Sequence, residues 1–149
     1  MSIGRILILT DGESHTAKAE EYALMLAVAL PAELVALYVV EQHLKKFTHE
    51  IYAVNRNECR AHLDSALAAE GDAGLAQFAE KARGAGITIK TKILYGEPEK
   101  VVTDVVVVDG YDIVILGAKH LEGWWQRFES CNLPGRVFKS VNCPLLFVK

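Results

Sequence analysis

Apolar residues recur along this chain in two alternating rhythms, short unbroken runs and longer stripes of helical spacing. Arg5-Ile-Leu-Ile-Leu-Thr10 is a continuous apolar run of strand length, closed by the turn residues Asp11-Gly-Glu-Ser-His15. A helical stripe follows at Ala19, Tyr22, Ala23, Leu26, Ala27 and Leu30. Ser14 or Thr16 is placed to cap that helix, and Glu20 and Glu21 set negative charge near its positive end. Pro31-Ala-Glu leads into a second run, Leu34-Val-Ala-Leu-Tyr-Val-Val40. A long, mostly helical segment is predicted over about 48–83, with Ile51, Leu63, Leu67, Leu75, Phe78 and Ala82 in period and a break at Gly71-Asp-Ala-Gly74.

Gly84-Ala-Gly86 ends that segment, and Ile87-Thr-Ile-Lys-Thr-Lys-Ile-Leu94 alternates as an edge strand with one wet face would. Gly96-Glu-Pro-Glu99 is a helix start, with proline in the first turn and acids beside it. Four consecutive valines in the segment from Val101 to Val108 favour strand by propensity. We read it as helix, because Val101, Val102, Val105 and Val108 form one stripe and parallel strands need a covering crossover. Asp112-Ile-Val-Ile-Leu116 is the fourth strand and Pro144-Leu-Leu-Phe-Val148 the fifth, with a short helix opening at Asn132 between them. Strands apolar on both faces, alternating with helices, predict one α/β domain over residues 1–149. Its doubly wound parallel sheet has five strands in the order 3-2-1-4-5. A ligand crevice is expected at the carboxyl ends of strands one and four, where the strand order reverses.

Composition narrows the choice of partner. With 149 residues, 51% apolar and 23% charged, the chain can bury a core without staples. A net charge of -3, with Lys and Arg dispersed among carboxylates, argues against nucleic acid. No apolar run is long enough to span a bilayer and the chain opens on a strand, so the cytoplasm is the expected location. Cys59, Cys131 and Cys143 are odd in number and lack CxxC spacing, so neither a disulfide framework nor a zinc cluster is predicted.

Several segments together carry a family resemblance. They are Ile6-Leu-Ile-Leu-Thr-Asp11-Gly12, the helix from Ala19 to Leu30, Ala36-Leu-Tyr-Val-Val-Glu41, Tyr95-Gly-Glu-Pro98, Tyr111-Asp-Ile-Val-Ile-Leu-Gly117 and Asn142-Cys-Pro-Leu-Leu-Phe-Val148. In this order the chain resembles the universal stress protein family over essentially its full length. The resemblance implies a Rossmann-like five-stranded sheet and a homodimer paired through Leu145, Leu146, Phe147 and Val148. It also implies a part in stress response or adenine-nucleotide sensing, without defined catalysis.

ATP-binding members of that family carry Gly-x2-Gly-x9-Gly-[Ser/Thr] after the fourth strand. Gly117 matches the first glycine, and His120 stands at the second. The third falls on Ser130 or Cys131, and the hydroxyl position on Cys131 or Asn132. Glycines let backbone N–H groups face phosphate oxygens, a geometry that a Cβ obstructs. Pro134, in the first turn of the following helix, has no N–H to give, and Trp124 and Trp125 add bulk. The loop therefore resembles the branch of the family that lacks the nucleotide loop.

Candidate contacts for a crevice ligand are Thr10, Asp11, Val39, Gly117, His120, Cys131 and Asn132. Asp11 admits two readings, acceptor for an adenine or ribose group or cap of its own turn. His15 reads as a solvated turn histidine, since no nucleophile stands at a useful spacing. His120 beside Lys119 is the best candidate for contacting an anion. Trp124 and Trp125 either stack on a base or pack as a lid or interface anchor. Glu58, Cys59 and His62 share a helix face but want a fourth ligand, so no metal site is predicted. Cys143 is expected to pack and Cys131 to be the more accessible thiol, neither marked as reactive. Taken with the family resemblance, these residues imply a cytoplasmic stress-type dimer that binds protein partners or a small ligand without tight ATP binding, with no cofactor and no enzymatic activity. The alternative is an ATP- or AMP-binding sensor with a non-standard loop and slow hydrolysis.

Overall fold

The strands pair as the apolar runs predict. The computed structural model describes residues 2–10, 16–41, 56–117, 137 and 139–148, with residues 56–65 and 67 as backbone only. In chain order the elements are β1 (Arg5–Leu9), α1 (Ala17–Ala29), β2 (Glu33–Glu41), α2 (Arg56–Gly84), β3 (Lys90–Gly96), α3 (Pro98–Asp109), β4 (Ile113–Gly117) and β5 (Leu145–Val148). The sheet is parallel throughout, in the order β3-β2-β1-β4-β5. Ile6 lies between Leu34 and Ile113, and Ile8 between Ala36 and Ile115. The central strand is thus fully buried at Ile6, Leu7 and Ile8, which explains why its run is apolar on both faces.

Each face of the sheet has its own core. One gathers Ile6, Ile8, Leu34, Ala36 and Ile115 beneath Ala19, Ala23 and Ala27 of α1 and Leu75 and Phe78 of α2. The other gathers Leu7, Val35, Leu37, Val114 and Leu116 beneath Val102 and Val105 of α3, with Val137 and Val141 from the helical turn before β5. The alanines at Ala19, Ala23 and Ala27 let α1 sit close to the sheet, their short side chains setting the distance.

Four details depart from the sequence pattern. α2 runs unbroken for 29 residues through Gly71 and Gly74, both buried. A Cβ on Gly71 would lie 2.4 Å from Cδ1 of Tyr38 on β2. That glycine is therefore a site of close approach, where the sequence pointed to a break. Tyr22 and Leu30 are 43% and 39% exposed, so the buried face of α1 is narrower than its stripe. The face of α3 likewise turns by one position: Val102 and Val105 are buried, whereas Val108 is 80% exposed. The four-valine run thus folds as predicted, but its last two members face water. β3 begins at Lys90, three residues later than the alternation from Ile87 indicates, and it lies at the sheet edge as expected. The start of α3 follows the reading closely. Gly96 takes φ +145 and would hold a Cβ 3.0 Å from Val101, and Pro98 occupies the first turn.

Candidate functional site

The strand order reverses between β1 and β4, and the carboxyl ends of these two strands lie side by side. Continuing the register Ile8↔Ile115 by two residues places Thr10 next to Gly117. Gly117 is buried and opposite Val148 of β5. Thr10 is 5% exposed, and its N–H donates to the Leu37 carbonyl at 3.1 Å, which carries the sheet one residue past β1. Val39, two residues beyond Leu37, is half-buried and packs, as Leu9 and Leu94 do, against the core on the α3 side. The structure thus brings Thr10, Val39 and Gly117 to one end of the sheet. Asp11, His120, Trp124, Trp125, Cys131, Asn132 and Pro134 lie outside the described residues, as do His15 and the side chains of Glu58, Cys59 and His62.

Beneath Thr10 stands a polar group that the sequence reading did not assemble. Its hydroxyl donates to Oε1 of Glu20 at 2.8 Å and lies 3.2 Å from the Thr16 hydroxyl. Lys81 of α2 donates through Nζ to the other carboxylate oxygen at 3.4 Å. Thr16 and Glu20 are buried. Thr16 holds the N-cap position of α1 without a side-chain cap bond, so its capping reading holds for position only. In the sequence Glu20 reads as an acid complementing the helix dipole, but it belongs to the buried face. The signal was available, because position 20 stands three and seven residues before Ala23 and Ala27 on the core stripe.

The opposite end of the sheet carries a different chemistry. Arg5 donates through Nε to Glu33 at 2.9 Å and through a terminal nitrogen to the Asp109 carbonyl, and its guanidinium lies 4.8 Å from the Tyr111 ring centre. Lys90 pairs with Glu33 and Lys92 with Asp109. The Asp112 carboxylate accepts the N–H groups of Gly4 and Arg5 at 2.8 and 2.9 Å. Hydrogen bonding from Lys90, then Arg5, holds the Glu33 carboxyl below its usual range, and Lys92 does the same for Asp109. Lys92 is raised in turn by Asp109, and burial pushes the Tyr111 phenol up. Cys143 is half-buried against the α3-side core and its thiol is raised by burial, in keeping with a packing role. Among the described residues no helix is long and apolar enough to cross a membrane, and no cluster of His, Cys, Asp and Glu could hold a metal ion.

This architecture and its constituent segments match known proteins. The family model described as the universal stress protein family matches residues 2–149. A universal stress protein of Methanocaldococcus jannaschii is 26% identical over 145 residues, covering 97% of this chain and 81% of that protein. Among solved structures, the universal stress protein UspA from Lactobacillus plantarum superposes with a TM-score of 0.79 at 19% identity, covering 100% of this chain and 99% of that one. A universal stress protein family protein from Arabidopsis thaliana, solved with AMP bound, gives a TM-score of 0.66 at 17% identity over 98% of this chain and 91% of its own. The five-stranded order and the match over nearly every residue lead to one assignment: this chain belongs to the universal stress protein family.

Proposed function

We propose that this protein serves in stress response as a homodimeric binding module whose crevice holds a small or adenine-like ligand without tight binding of ATP. The observation that carries the reading lies at the end of β4. Of the three glycines that an ATP-binding loop of this family presents, the chain has only Gly117, with His120 at the second position and Ser130 or Cys131 at the third. Each charge-assisted N–H bond to phosphate that is lost removes roughly 1.5–3 kcal/mol. Two or three such losses move a micromolar binder to about millimolar or weaker. The strand ends that would face a base or ribose are retained in Thr10, Val39 and Gly117, which supports a ligand held without a phosphate grip.

The edge of the sheet supports the dimer. β5 pairs with β4 on one side, and Leu145, Leu146 and Phe147 are only half-buried in the single chain. An apolar edge strand with open N–H and C=O groups invites pairing, and a two-fold related copy of β5 would close it. Sedimentation should find a dimer at micromolar concentration; a well-behaved monomer would remove this part of the proposal. The role is binding and not catalysis, since no nucleophile and base stand together in the sequence, and the cytoplasm is its expected setting.

A second reading has one observation in its favour. A protein of the same fold was solved with AMP bound, so a nucleotide sensor with a non-standard loop is the alternative. Mass analysis of protein purified without added ligand separates the two. The first reading expects no bound nucleotide, whereas stoichiometric AMP or ATP would replace it with the second.

A further inference from the structure

Glu20 occupies a position for which helix packing alone has no need of a charge. It is 4% exposed, on the same buried face of α1 as Ala19, Ala23 and Ala27. A carboxylate there forfeits apolar contact and must be both paired and hydrogen-bonded to be tolerated. Both conditions are met. Oε1 accepts from the Thr10 hydroxyl at 2.8 Å, and Oε2 accepts from Lys81 Nζ at 3.4 Å. The group therefore joins the end of β1, the first turns of α1 and the last turns of α2, contacts between residues 10 and 61 positions apart.

Thr10 is the residue at which β1 enters the crevice. Its backbone is tied to β2 through Leu37 and its side chain to α1 through Thr16 and Glu20. We propose that Glu20 is a positioning residue for the crevice, fixing the carboxyl end of β1 through Thr10, with Lys81 as the counter-charge that holds its carboxylate in place. α2, which the sequence shows only as a long covering helix, thereby bears on the geometry of the ligand site. The functional consequence rests on the crevice reading given above; the tether itself can be tested in ligand-free protein.

The side chain of Lys81 is 55% exposed, so substitutions there leave the core packing intact. Amide hydrogen exchange on the full, ligand-free chain should be followed at Thr10, with Leu146 of β5 as a remote reference. Loss of a hydrogen bond to a charged group corresponds to a change of about tenfold or more. Lys81→Met is thus expected to speed exchange at Thr10 about tenfold while Leu146 stays as in wild type. Lys81→Arg should restore slow exchange, and Glu20→Gln should reproduce the effect of Lys81→Met, since it removes the charge that Lys81 meets. Unchanged exchange at Thr10 in both Lys81→Met and Glu20→Gln would overturn the proposal. Equal acceleration at Thr10 and Leu146 would overturn it as well, because that marks general destabilisation. In a parallel titration with adenosine as the probe, Lys81→Met should weaken the shift of the Thr10 amide signal. If adenosine leaves the wild-type spectrum unmoved, the adenine reading of the crevice fails, and the exchange measurement alone decides the tether.

Discussion

The two ends of the sheet are held in opposite ways. At the amino end, Arg5, Glu33, Lys90, Lys92 and Asp109 form a chain of partly exposed ion pairs, and Asp112 gathers two backbone N–H groups. At the carboxyl end, among the described residues, the buried hydroxyls of Thr10 and Thr16 meet the buried carboxylate of Glu20, which Lys81 pairs. Exposed pairs contribute little one at a time, and a network of them survives the loss of a member. A buried paired charge has no such redundancy, because removing one partner strands the other. The amino end is thus built for tolerance and the carboxyl end for a fixed geometry. The ligand crevice proposed above lies at the second.

That contrast can be broken most severely through α2. Gly71→Ala forces a Cβ to within 2.4 Å of the Tyr38 ring, so helix or strand must move. Overpacking of this kind costs typically about 1–3 kcal/mol, to be read as a lower urea midpoint. If the midpoint is unchanged, α2 does not seat on β2 as described. At the amino end, Asp112→Ala removes the acceptor for two N–H groups near water and should cost about 1 kcal/mol in the same assay. A loss several times larger would mean that this end, too, depends on single contacts.

The ion pairs sharpen the comparison through pH. Glu33 and Asp109 have folded pKa values below their ordinary ones, so they stabilise the fold above roughly pH 4, and that contribution is lost as pH falls through the folded values. Lys92 is raised, so its contribution is present below its ordinary value, roughly 10.4, and lost as pH rises through the folded one. Denaturant titrations should therefore show a neutral plateau with an acid and an alkaline limb. Glu33→Gln should flatten the acid limb alone, whereas Asp109→Asn should flatten both. Limbs identical to those of wild type would remove these pairs from the account of stability.

Much of this was legible in the sequence, for physical reasons that differ by element. β1, β2 and β4 are buried on both faces, so their apolar runs needed no context. Gly96 and Pro98 announced the start of α3 through backbone restrictions that hold wherever they occur. The sequence could not say which way a glycine serves: Gly71 and Gly74 look like a break, but at Gly71 only the position of the Tyr38 ring shows close packing. Nor could propensity place Val108, since the direction of the helix face is set by α3 packing on the sheet. Of the candidate site, the strand-end residues Thr10, Val39 and Gly117 came from the pattern itself. Glu20 did not, because an acid in a first turn has a ready explanation in the helix dipole, and Lys81, its partner, is distant in sequence.

The comparison between the two ends matters only if the carboxyl end has truly given up the phosphate grip. Replacing His120→Gly, Cys131→Gly, Asn132→Ser and Pro134→Ala together should return measurable ATP affinity, if the loop re-forms around phosphate. The most direct measurement is calorimetric titration of the unmodified protein with ATP. The account predicts no binding tighter than about millimolar. Micromolar affinity would contradict it and make the protein a nucleotide sensor.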